Sequence, residues 1–99
     1  MTIETIAAPS KPALKRPPFY KVMIFDDDIS TFQCVIDIAV KYFNKNEDEG
    51  FEIAFKVNAR GAELVGIFPK DTAKSKVALA KKELKENGYP LRIELFKSN

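Results

Sequence analysis

The spacing of apolar positions changes several times along the 99 residues, and each change marks an element. Phe19 to Phe25, FYKVMIF, has the length and residue types of a strand. Beyond Asp26-Asp27-Asp28 the period lengthens, and Phe32, Val35, Ile36, Ala39, Val40 and Phe43 recur at helical spacing. Ser30 or Thr31 supplies the cap, and Gln33 stands three residues beyond Ser30, as in a capping box. Asn44 to Asn46 interrupts the pattern. Glu47, Asp48 and Glu49 then put negative charge where the dipole of a second helix favours it. That helix is apolar at Phe51, Ala54, Phe55 and Val57 and ends before Gly61. Ala62 to Phe68 reads as a second strand. Pro69 opens a third helix with a narrow stripe at Ala73, Val77, Ala80 and Leu84. Asn87-Gly88 closes it with Pro90 beyond, and Leu91 to Phe96 is a last short strand. The order β-α-α-β-α-β predicts an α+β fold, a single small domain with helices packed on one face of a three-stranded sheet.

Residues 1–18 carry four of the six prolines and no sustained apolar period. Such a segment buries too little surface to offset its ordering entropy, so it is read as a flexible N-terminal arm before a domain at 19–99. No apolar run approaches the roughly 18 residues of a membrane span, and no signal peptide is apparent. Cys34 is the only cysteine and sits among apolar residues, which suits a reducing compartment and makes cytoplasm the expected location. A net charge of +2 is too small to argue for nucleic acid. Acidic residues gather at 26–28 and 47–52 and lysines at 70–85, as solvated helix faces also do. There is no histidine, no glycine-rich phosphate loop and no nucleophile elbow, so a non-enzymatic protein without a cofactor is expected.

Asp26, Asp27 and Asp28 carry the chemistry. Stacked carboxylates repel one another and resist burial, so a domain that keeps them at a strand end offers them to a cation. Residues two apart in a strand point the same way, which lets Asp26 and Asp28 flank one ligand while Asp27 faces elsewhere. A hard metal ion in a hydrolase is one alternative, but three consecutive carboxylates cannot all face one ion, and no partner base is recognisable. The C-terminal domain of the bacterial ribosomal stalk protein has a similar order and size, yet lacks the aspartate run.

The passage Tyr20-Lys21-Val22-Met23-Ile24-Phe25-Asp26-Asp27-Asp28-Ile29-Ser30 resembles the ClpS family. That signature reads Tyr-Lys-Val, a short apolar run, Asn-Asp-Asp, then a helix opening near a threonine. The resemblance extends over residues 19–97 and includes Val35-Ile36-Asp37, Gly66-Ile67-Phe68 and Pro90-Leu91. It implies a monomeric adaptor that takes the N-terminal Leu, Phe, Tyr or Trp of N-degron substrates to a ClpA-type AAA+ chaperone for degradation by ClpP. By position, Asp26, Asp28 and Asn58 would hold the substrate's α-ammonium, with Asp27 and Ser30 completing a polar rim. Phe32, Val35, Ala54, Val57 and Leu91 would form the hydrophobic pocket, with Phe32 as its gate. Asp71 and Lys76 would dock on the chaperone's N-terminal domain, and the arm would reach toward it. Six positions depart from the family: Asp26 replaces asparagine, Asn58 replaces histidine, Ser30 replaces threonine, Asp71 replaces glutamate, and Phe32 and Ala54 replace methionines. Phe32 and Ala54 also read as ordinary facing residues of two packed helices. The alternative function is a regulator that docks on the chaperone without binding N-degrons.

Overall fold

A computed structural model describes residues 18–98. Its central strand β1 (Phe19–Phe25) lies between β2 (Ala62–Pro69) and β3 (Arg92–Lys97), antiparallel to both. Three helices, α1 (Phe32–Tyr42), α2 (Glu47–Arg60) and α3 (Lys70–Glu86), complete the expected β-α-α-β-α-β order. Alternation along β1 sorts its side chains between two faces. Val22 and Ile24 are fully buried and join Val65 and Ile93 beneath the helices, whereas Lys21 is exposed on the other face. Pro69 ends an outer strand, where a missing N–H breaks no ladder bond. Pro18, assigned to the arm from sequence, is tied to the domain through its carbonyl, which accepts from the Lys70 N–H at 3.1 Å. The rest of the arm lies outside the described residues.

Local chemistry decides where the helices begin and end. Thr31 rather than Ser30 caps α1, its hydroxyl accepting the Cys34 N–H at 3.0 Å. The expected box from Ser30 to Gln33 does not form, because Gln33 lies inside the first turn and donates to Asp37 Oδ1 at 2.9 Å instead. A complete capping box does occur at α2. Asn46 Oδ1 accepts from the Glu49 N–H at 2.8 Å, and Glu49 Oε1 accepts from the Asn46 N–H at 2.9 Å. The buried stripe of α2 also differs from the expected one: Gly50, Ile53, Ala54 and Val57 face inward, while Phe51 and Phe55 stand outside. Gly50 permits this close approach, since a Cβ there would meet the Ile36 side chain at 3.2 Å. The last strand starts at Arg92, so Leu91 precedes it.

Gly61 ends α2 with φ at 90°, and its N–H returns to the Val57 carbonyl at 2.8 Å. Its own carbonyl accepts the Asp26 N–H at 2.8 Å, which joins the end of α2 to the start of the acidic loop. Nothing lies within 4 Å of a Cβ added at Gly61. Gly61→Ala is therefore expected to cost about 1 kcal/mol through backbone conformation alone, read as a lower denaturation midpoint with an unchanged slope.

Helices α1 and α3 are stitched at the opposite end. Tyr42 donates its hydroxyl to Glu83 Oε1 at 2.6 Å, and the Lys41 ammonium donates to both Glu83 oxygens, at 3.1 and 2.9 Å. The Tyr42 bond and then the Lys41 bond hold the Glu83 carboxyl below its ordinary value. Lys76 reaches from α3 to the Tyr42 carbonyl at 3.0 Å, supplying a cation and a donor at the C-terminus of α1.

Candidate functional site

Three segments and one isolated residue meet at the end of the sheet where β1 stops. Val35 comes from the first turns of α1, Ala54 and Val57 from the inward stripe of α2, and Leu91 from the approach to β3. Each is at most 6% exposed, so together they make an apolar floor. Above them lie the loop Asp26–Thr31, Phe32 and Asn58, and the whole encloses a hollow of about 410 Å³. Helical spacing explains the convergence from α2, because residues three and four apart share a face, and Ala54, Val57 and Asn58 have that separation. The structure thus brings every expected amine, rim and pocket residue around one cavity.

The rim holds acceptors and no cationic side chain. Asp26, Asp28 and Asn58 are exposed, and neither Asp26 nor Asp28 uses its side chain in a hydrogen bond or ion pair among the described residues. Asp27 behaves differently. The strand ends at Phe25 rather than continuing through the aspartates, and Asp27 Oδ1 accepts the N–H groups of Ile29 and Ser30 at 2.8 and 2.7 Å. Its position in the polar rim is therefore that of a turn-former, which folds the loop back and presents its neighbours. Burial pushes the Asp27 carboxyl upward, but the bonds from Ser30 and Ile29 outweigh it and leave the group below its ordinary value. Asp27 Oδ2 and Ser30 Oγ are buried on the inner wall of the hollow and have no hydrogen-bond partner among the described residues.

Phe32 has two sets of neighbours. It lines the hollow and it packs on α2, its ring meeting Phe51 edge-on with centroids 5.2 Å apart. Its exposure of 37% leaves part of the ring at the entrance. Ala54 is buried between the helices and also lines the floor. Thr31 lines the same hollow and was not among the expected site residues; its place as helix cap was the only sequence signal for it.

Asp71 and Lys76 are elsewhere. Asp71 is exposed in the first turn of α3, while the Lys76 ammonium is half-buried, bonded to Tyr42 and 5.2 Å from the centre of the Phe68 ring. Among the described residues, no group of three or more His, Cys, Asp or Glu side chains is arranged to hold a metal ion, and no helix is long and apolar enough to cross a membrane. Cys34 sits one residue from the floor residue Val35. Burial first, then the charges of Asp37, Asp27 and Glu83, push its thiol up to about 11. It is expected to resist iodoacetamide near pH 7.5 in the folded protein and to react after denaturation, as counted by mass spectrometry.

This arrangement is a small α+β domain with an apolar hollow under an acidic rim. The family model described as ATP-dependent Clp protease adaptor protein ClpS matches residues 15–94. The chain belongs to the ClpS family of Clp protease adaptors. The ClpS of Wolinella succinogenes is 41% identical over 79 residues, covering 80% of this chain and 78% of that protein. The ClpS of Methylococcus capsulatus is 34% identical over 82 residues, covering 83% and 77%. Among solved structures, Agrobacterium tumefaciens ClpS2 bound to L-phenylalaninamide superposes with a TM-score of 0.79 at 29% identity, covering 84% of this chain and all of that one.

Proposed function

We propose that this adaptor captures proteins by a free N-terminal residue bearing a large hydrophobic side chain and delivers them to a ClpA-type AAA+ chaperone. The observation that carries the reading is the pairing of a buried apolar floor with a rim of carboxylates and neutral polar groups that lacks any cationic side chain. An amino-terminal Leu, Phe, Tyr or Trp has the complementary form, an apolar body beside an ammonium. The similar ClpS2 bound to L-phenylalaninamide, a ligand of that form, supports it. Asp26 and Asp28 supply the charge for the ammonium and Asn58 an acceptor oxygen, while Ser30 and the free oxygen of Asp27 polarise the wall behind them. Carboxylate at position 26 strengthens amine capture relative to a neutral amide, because a charge-assisted hydrogen bond is roughly twice as strong. Phe32 narrows the entrance and Ala54 opens the floor, which favours side chains unbranched at Cβ. Asp71 faces the chaperone on this reading. Lys76 contributes there only as far as its bond to Tyr42 allows.

The test is a fluorescence-anisotropy titration of a Leu-initiated peptide against its N-acetylated twin. Acetylation removes the charge and leaves one N–H of the three donors, so affinity should fall by at least the roughly 1.5–3 kcal/mol of a charged hydrogen bond, about 10- to 150-fold. The pH profile has a definite sign. A free α-amine titrates near 8, and carboxylates favour its charged form, so affinity is full below about pH 8 and weakens above it. Equal binding of both peptides, or a flat profile from about pH 7 to 9.5, would leave a chaperone-docking regulator as the better account.

A further inference from the structure

We propose that the open face of the sheet is a docking surface for the N-terminal segment of this same chain, with Ile3 and Ile6 as its anchors. The buried residues of all three helices join one core on the Val22 and Ile24 side of the sheet. Alternation sends the intervening strand side chains to the opposite face. There the register places Lys21 between Ile67 and Phe96, and Met23 beside Leu64. Ile67 and Phe96 are 46% and 47% exposed, and the Phe96 ring also approaches Phe25, with centroids 6.4 Å apart. The result is an apolar band that crosses all three strands.

Three observations select the occupant. Size is the first. Strands of six to eight residues, spaced about 4.8 Å apart, present a footprint of roughly 300 Å². Each partner of a stable complex ordinarily buries roughly 800 Å², so a second copy of the chain gains too little here. A tethered segment, by contrast, meets the face at an effective concentration in the millimolar range. Reach is the second. β1 is the central strand, and Pro18 at its start is tied to Lys70, so the upstream chain departs from the middle of the sheet. The twelve residues from there back to Ile6 span up to roughly 40 Å, against about 23 Å for β1, which leaves slack to reverse direction. Composition is the third. Residues 1–17 hold one acid, Glu4, set between Ile3 and Ile6. On the open face Lys21 is exposed and has no ion-pair partner among the described residues. Two aliphatic anchors flanking a carboxylate thus match two apolar side chains flanking an ammonium. Alone, the segment has too little apolar surface to order itself, but here the domain supplies the other half of the contact.

The experiment uses the full chain with Thr2→Cys carrying a nitroxide, Cys34 being buried and left unlabelled. Paramagnetic broadening should remove most of the backbone amide intensity of Lys21, Met23, Ile67 and Phe96, while Lys74 and Lys82 on α3 keep theirs. Ile3→Asp/Ile6→Asp in the labelled chain should abolish that pattern and leave the domain folded, since both residues precede it. Lys21→Glu should weaken the pattern, and Glu4→Lys/Lys21→Glu should restore it. Uniform broadening, broadening centred on the helices, or a pattern that survives the two aspartates would overturn the proposal. A charge exchange that restores nothing would overturn the pairing of Glu4 with Lys21. The last control mixes spin-labelled protein with isotope-labelled protein that carries no nitroxide. The same pattern there would assign the face to a second copy and also overturn the proposal.

Discussion

Phe43→Ala is expected to cost about 3–5 kcal/mol, the range for deleting a fully buried phenylalanine. Phe43 is the largest of the side chains below 2% exposure and closes α1 against the sheet, its ring tilted on Phe68 with centroids 6.1 Å apart. A domain of this size has about 4–12 kcal/mol in total, so the variant stands near the limit of folding. At roughly 4–8 °C per kcal/mol, its melting temperature should fall by more than 12 °C. Phe43 lies at the far end of α1 from the hollow that Phe32 and Val35 line. Peptide affinity of the folded fraction should therefore match wild type. A loss below about 1 kcal/mol would mean that the neighbouring rings collapse into the space. Weakened binding by fully folded protein would mean that α1 transmits the change along its length.

The sheet and the third helix were legible because their patterns have one reading. FYKVMIF is too short for a stable helix, and the alanines and valine of α3 leave a single apolar stripe. The second helix misled because phenylalanine reads as core. Gly50 and Ile53, not Phe51 and Phe55, complete its buried stripe, and the backbone of α2 runs close to Ile36, where a Cβ at position 50 would sit 3.2 Å from that side chain. The acidic loop was legible in composition and not in shape. Applying strand alternation to the aspartates beyond Phe25 ignores that an aspartate side chain can accept its own downstream N–H groups, which is how Asp27 folds the loop. Lys76 shows a different gap. On sequence it is one lysine of an exposed helix, and only the packing of α3 against α1 makes it a cap. The site itself is spread from Asp26 to Leu91, so its membership came through family resemblance, while the cavity geometry came from the fold.

The distinction between Asp27 and its neighbours leads to the sharpest functional expectation. Asp26→Ala/Asp28→Ala removes two exposed carboxylates whose side chains make no hydrogen bond or ion pair among the described residues, and the Asp26 N–H still reaches Gly61. Stability should stay within about 0.5 kcal/mol of wild type. Each lost charged hydrogen bond is worth roughly 1.5–3 kcal/mol, so binding of a Leu-initiated peptide should weaken at least a hundredfold. Asp26→Asn alone should still bind, because the amide keeps an acceptor. Asp27→Ala should show the reverse balance: the Ile29 and Ser30 N–H groups lose their acceptor, the turn loosens, and stability falls first. The linkage has a definite sign. Because the Asp27 carboxyl is held below its ordinary 3.8, its stabilisation is present above that pH and is lost as pH falls through the lower folded value. Melts at pH 7 and pH 2.5 should thus separate wild type from Asp27→Ala more at the higher pH. If the Asp26/Asp28 variant binds as tightly as wild type while Asp27→Ala remains folded and inert, the ammonium sits on the free oxygen of Asp27 and the two exposed carboxylates only guide its approach.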